Sequence, residues 1–236
     1  MVGRLQWDLI GERLYETGTS HGVLFVQDKT GAYKPGVAWN GLTGIKQSPD
    51  GAESTDQYAD NDKYLSLTSK ENFKGTIEAF TYPDEFNACD GSAEIVPGVT
   101  VGQQNRSQFG LSYETVIGND TVGEDFGTKL HIIYGAKTAP SAKEYTTIND
   151  SPEALALSWE FSTTPATTPD GFKPTAYICL NSTTVDPEIY NAVRDKIQGS
   201  ASTESSLPSL VELITMIKGV TTTTTTSTTT TTTTKA

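Results

Sequence analysis

The sequence predicts a mainly β fold, a sandwich or barrel of short strands with one short flanking helix and two C-terminal helices. Three observations carry this expectation. Gly 21 and Pro 11, with Ser and Thr throughout, favour many short strands and turns over long helices. Apolar and polar residues alternate in short runs separated by turn-forming residues. The pattern then changes at Asp186 to a helical period. A chain of 236 residues is long enough to bury a substantial core.

The elements follow in order. Residues 1–20 mix Leu9, Ile10, Leu14 and Tyr15 with charges. Val23, Leu24, Phe25 and Val26 form a strand ended by the turn composition Asp28-Lys29-Thr30-Gly31. A second strand begins over 36–42. From 46 to 63 the chain turns polar and reads as a long acidic loop carrying Lys46, Asp50, Glu53, Asp56, Tyr58, Asp60 and Asp62. An insertion of this length is either functional or disordered. Alternation resumes over 64–68, and 73–81 reads as its hairpin partner. In 75–91 the strand stops at Pro83, which cannot donate to a ladder. Asp84, Glu85, Phe86 and Ala88 then form a short helical turn with acids at its start. Further strands are expected over 99–101, 109–117, 129–134, 155–161 and 175–180, roughly eight or nine in all.

At the C-terminal end, Asp186-Pro187 is a helix start, with Asp as cap and Pro at the first helical position. Ile189, Tyr190, Val193 and Ile197 share one face, and Gly199 ends the helix. A second helix over 208–218 carries Leu210, Leu213, Ile214 and Ile217 on one face and stops at Gly219. Two amphipathic helices need an apolar surface, on this chain or on a neighbour. Residues 221–234 are Thr except Ser227, a tract expected to stay disordered on its own. The organisation expected is a β domain over 1–183, a two-helix segment over 184–219, and a Thr-rich tail over 220–236.

Composition limits the function. Lys+Arg 17 against Asp+Glu 29 gives a net charge of −12, which argues against gripping phosphates by counterion release. No apolar run reaches about 18 residues, so no membrane-spanning helix is expected. Charges and Trp7 interrupt the place where a secretory signal would be apolar, which points to use inside the producing cell. Cys89 and Cys179 could form a bridge, but without such a signal reduced thiols are favoured. Two histidines, His21 and His131, cannot make a multi-histidine metal site.

Templates for catalysis fail one by one. There is no nucleophile elbow and no phosphate loop, and Ser20-His21 is only an adjacent pair. Asp56, Asp60 and Asp62 lack the Gly and the terminal Glu of a calcium loop. Asp84 and Glu85 are adjacent carboxylates, for which a helix-start role suffices. Trp39 and Trp159 could be sugar-stacking platforms, but both sit within apolar strands and read first as core. Neither an enzyme nor a cofactor is expected.

Three segments carry a family resemblance. They are Leu14-Tyr15-Glu16-Thr17-Gly18 running into the Val23 strand, the 75–91 stretch with Tyr82-Pro83-Asp84-Glu85-Phe86 and a small-Cys-Asp-Gly ending, and the helical end from Val185 to Gly219. In these the chain resembles the major tail tube proteins of long-tailed, siphovirus-type bacteriophages. The resemblance implies a β-sandwich or barrel of the phage tail tube type. Hexameric rings of such a protein stack on a tape-measure protein into a non-contractile tube. Tail terminator and distal tail proteins close its ends, and DNA passes through without specific binding. The 46–63 segment becomes the candidate inter-ring contact, and the site of action is the virion tail, assembled in the host bacterial cytoplasm without a membrane. Two alternatives stay open. One is the tube protein of a contractile tail or secretion system, expected to lack the terminal helices. The other is a carbohydrate-binding β-sandwich.

Overall fold

The computed structural model describes residues 4–148, 150, 154–169 and 171–223. The fold is mainly β and antiparallel, with twelve strands and three α-helices among the described residues. The main sheet runs β2 (Val37–Ala38), β1 (Leu14–Val26), β9 (Phe109–Asn119), β10 (Gly123–Thr138), β11 (Leu157–Thr163), β6 (Lys74–Ala79) and β3 (Leu42–Gln47), with β12 (Tyr177–Asn181) also pairing β10. Its two ends are joined by only Trp39, Asn40 and Gly41, which separate β2 from β3. A link so short spans roughly 14 Å, so the sheet coils until its ends meet. The Trp39 amide donates to the Gly22 carbonyl at 2.8 Å, extending the β1–β2 ladder to the start of this link, and the Phe80 amide donates to the Gly41 carbonyl at 2.8 Å where the link enters β3.

Alternation along the strands divides the apolar residues between two faces. The enclosed face gathers Leu24, Trp39, Ile77, Phe109, Leu111, Ile133, Trp159 and Phe161. The outer face carries Val23, Phe25, Leu130, Ile132, Tyr134 and Leu180 beneath two helices, α2 (Pro187–Gln198) and α3 (Leu210–Thr223). The surface that the amphipathic helices require therefore lies on the same chain. Ile189, Tyr190, Val193 and Ile197 of α2 and Leu210 and Leu213 of α3 are buried there. The expected cap of α2 is present: the Glu188 amide donates to Asp186 Oδ1 at 2.8 Å, with Pro187 at the first helical position. The start of α3 is a capping box, the Ser209 amide donating to Glu212 Oε2 at 2.8 Å and the Glu212 amide to Ser209 Oγ at 3.3 Å.

Three expectations are corrected. The 46–63 segment is not a loop: it holds the end of β3, all of β4 (Ser54–Ala59) and the start of β5 (Asp62–Thr68). The partner of β5 is β4, whereas β6 lies between β3 and β11. Helix α3 does not stop at Gly219 but continues to Thr223, because at a solvated end glycine lowers helix stability without breaking the backbone ladder. Residues 224–236 of the Thr tract lie outside the described residues.

Candidate assembly surfaces

The β4–β5 hairpin is built by local chemistry. Asp60 and Asn61 form a two-residue loop at φ 50° and 64°, between the paired residues Ala59 and Asp62. Both residues in the left-handed region match the right-handed twist of the strands, and Asn and Asp tolerate that region best. At the base, Asp50 and Asn72 exchange backbone hydrogen bonds of 2.9 and 2.7 Å. Lys74 pairs with the Asp50 carboxylate and holds it below the usual carboxylate range. Midway, Asp56 takes Lys63 at 2.8 Å and the Ser66 hydroxyl at 2.6 Å, and Lys63 draws its pKa down in the same way. Glu53 meets Ser69 through its amide at 3.0 Å, and Asp62 accepts the Lys63 amide at 2.7 Å.

The acidic residues of this segment thus serve separate contacts along a ribbon and do not converge on one point. Among the described residues no group of His, Cys, Asp or Glu could hold a metal. Every residue of β4 and β5 is exposed, and the hairpin presents Tyr58, Tyr64, Leu65 and Leu67 to solvent. A two-stranded ribbon with no third layer is marginal by itself. Lys46, by contrast, sits on β3 opposite Thr76, inside the main sheet.

The segment that carries the resemblance is part of the core. Pro83 precedes a single 3-10 turn over Asp84–Phe86, which continues into α1 (Asn87–Asp90) and ends at Gly91 with φ 82°. Asp84 and Glu85 are exposed at its start, while Phe86 is fully buried. The Phe86 ring meets Trp39 at 4.6 Å, Trp159 at 5.1 Å, Phe109 at 5.6 Å and Tyr82 at 5.8 Å between centroids. Asp90 accepts the Trp159 indole N–H at 3.0 Å and pairs with Lys143 at 2.7 Å. The turn therefore plugs one end of the coiled sheet. Trp39 and Trp159, at 3% and 0% exposure, are core residues and offer no platform to a sugar.

The opposite end holds a polar network that the sequence did not reveal. His131 stacks on Tyr113 at 4.6 Å with planes 6° apart. Thr115 Oγ1 donates to Glu16 Oε1 at 2.7 Å, so it accepts from His131 Nε2–H at 2.9 Å. His131 Nδ1 is left as an acceptor for the Tyr177 hydroxyl at 2.7 Å. Burial pushes the His131 pKa down, against an upward pull from Glu16. Burial also pushes Tyr113 up to about 12, while Gln47 donates to its hydroxyl at 2.7 Å. Burial would raise the Glu16 pKa, yet hydrogen bonds from Lys129 and Thr115 outweigh it and hold the carboxyl low. The imidazole is buried and both of its nitrogens are engaged. This is the bonding of a structural histidine; a general base would need a free nitrogen in reach of a substrate.

Other apolar side chains stand exposed on the N-terminal arm (Leu5, Trp7, Leu9, Ile10) and on the hairpin of β7 (Ala93–Val96) and β8 (Val99–Val101). No helix of the described chain is long and apolar enough to cross a membrane. Both cysteines are free, Cys89 buried and Cys179 exposed.

Comparison with known proteins gives little. No family model and no curated protein matches the sequence. Among 9 matching solved chains is the sheath/tube terminator of an extracellular contractile injection system, PVC, in its extended state, determined by cryo-electron microscopy. The overlap spans 75% of this chain and 99% of that one, at 10% identity and a TM-score of 0.31. The functional reading therefore rests on this chain's own residues and exposed surfaces.

Proposed function

We propose that this chain is a structural building block of a phage-type tail, joining copies of itself into hexameric rings stacked as a non-contractile tube. The observation that carries the reading is the β4–β5 hairpin, exposed along its whole length and bearing four large apolar side chains with no layer to cover them. A ribbon of this kind gains stability when a neighbouring copy covers it. The wording of Tyr82 to Phe86 supports the same family, and so do the helices α2 and α3, which the contractile-tail alternative is expected to lack. The net charge of −12 suits a wall past which DNA slides without sticking. Tape-measure, tail terminator and distal tail proteins are the further partners this role requires, and it requires no catalysis.

The test is a cut at the base of the hairpin. Replacing residues 52–70 by a short Gly-Ser turn keeps the Asp50–Asn72 pairing and removes nothing from either core. The variant is expected to keep the wild-type melting temperature within a few degrees and to lose assembly in negative stain. Normal tubes from the shortened chain would refute the role given to the hairpin.

A further inference from the structure

The strand β1 separates two features that complement each other. At its Leu14 end lies the N-terminal arm, anchored where the Gly11 amide donates to Asp120 Oδ1 at 2.9 Å and Asn119 donates to the Gly11 carbonyl at 3.2 Å. Beyond that anchor Leu5, Trp7 and Ile10 are 73%, 71% and 79% exposed, so none of these side chains is covered by the described residues. Across residues 4–10 Arg4 is balanced by Asp8, but Arg4 stands at the outer end, four residues beyond the acid.

At the Val26 end of β1 lies a groove of about 640 Å³ between the α1 turn and the β7–β8 hairpin. Val26, Val37 and Ala88 give it an apolar lining, and Asp84, Glu85 and Glu94 place three carboxylates there against the single lysine Lys34. The chemistry of the groove, apolar with an excess of negative charge, matches an apolar segment with an arginine.

The arm cannot fill the groove of its own chain. The 13 residues of β1 extend roughly 40 Å at about 3.3 Å per residue. Residues 4–10, fully extended from their anchor, reach about 25 Å. We propose that the N-terminal arm of one copy docks in the α1/β7–β8 groove of a second copy; this rests on the self-assembly reading above and names the contact that propagates it. Arm and groove sit at opposite ends of the same strand, so the contact is head-to-tail. Such a contact repeats from copy to copy and closes into a ring or continues as a stack. It also gives Asp84 and Glu85 a contact in addition to their place at the start of the turn.

Disulfide trapping tests this directly. Trp7→Cys and Ala93→Cys are combined in a Cys179→Ser background, leaving only the buried Cys89 besides the new pair. Mild oxidation of the concentrated protein is expected to give a ladder of covalent multimers on a non-reducing gel, with each single variant giving none. In parallel, the groove variant Asp84→Lys/Glu85→Lys/Glu94→Lys is expected to fold normally by circular dichroism. It should raise the concentration needed for assembly on the order of tenfold, since like charge then meets Arg4. If wild type assembles but the pair gives no ladder and the charge reversal assembles normally, the docking is overturned and the tube reading survives. A cross-link formed only within one chain also overturns it. Wild-type protein that stays monomeric at every concentration overturns both.

Discussion

Phe86→Ala is the substitution that most sharply separates a structural role for the 82–90 turn from a chemical one. The ring has no exposed surface and is held by four aromatic neighbours within 6 Å of its centroid. Losing a buried ring and leaving its cavity costs about 3–5 kcal/mol. Edge-on aromatic pairs add roughly 0.5–1.5 kcal/mol each to such a site. They are not additive here, because Trp39, Tyr82 and Trp159 also pack on one another. The walls are large rings fixed by hydrogen bonds, Trp39 to the Thr81 carbonyl and Trp159 to Asp90, so the cavity collapses poorly. The expected loss is about 4–5 kcal/mol, a large share of a typical stability of about 5–15 kcal/mol. In urea, with a slope near 3 kcal/mol/M, the midpoint should fall by roughly 1.5 M. Asp84→Ala and Glu85→Ala, both exposed, should stay within about 0.5 kcal/mol of wild type. If Phe86→Ala costs under about 1 kcal/mol while either carboxylate variant costs more, the turn is not a plug and the argument fails.

Other predictions follow from the titratable groups. The folded-state pKa of His131 is lowered by burial, so between that value and the unfolded value near 6.5 the unfolded chain binds the extra proton. Stability is then full above about pH 6.5 and declines as pH falls through that window; urea midpoints from pH 7.5 to 5.5 should show the slope in wild type and a flatter one in His131→Gln. An equal slope in both would remove His131 from the account. Burial raises the Cys89 thiol to about 12; partial burial raises the Cys179 thiol too, but its side chain is exposed to a reagent while that of Cys89 is not. A disulfide reagent at pH 8 should label one thiol in the native protein and two after denaturation, and the native label should vanish in Cys179→Ser.

How much of this was legible in the sequence depended on whether burial was one-sided. Strand β11 was readable because its burial alternates residue by residue. Strand β9 is buried on both faces, and it was readable only because polar Ser112 and Glu114 on its second face kept the apolar-polar alternation, not because that face is wet. The cap of α2 was readable because Asp186-Pro187 acts locally. Strand β5 was read from its alternation over 64–68, but β4 was not, since all of Ser54–Ala59 meets solvent and no apolar period marks it; the usable signal for the hairpin was the Asp60-Asn61 loop. Pairing β5 with β6 followed the rule that sequence neighbours pair, but Ile77 and Ala79 bury against β3 and β11 instead. The His131 network draws on β1, β9, β10 and β12, contacts that arise only once these four neighbouring strands pair in register. The Tyr82–Phe86 wording pointed to a family, while its placement in the core came from the rings around Phe86.

Electron microscopy of the purified full chain across a concentration series tests the central claim most directly. The account predicts hollow rings or stacked tubes with six-fold end views at high concentration, dissolving into monomers on dilution. A species that remains monomeric at every concentration, with the β4–β5 hairpin as accessible to protease as a free ribbon, would contradict it.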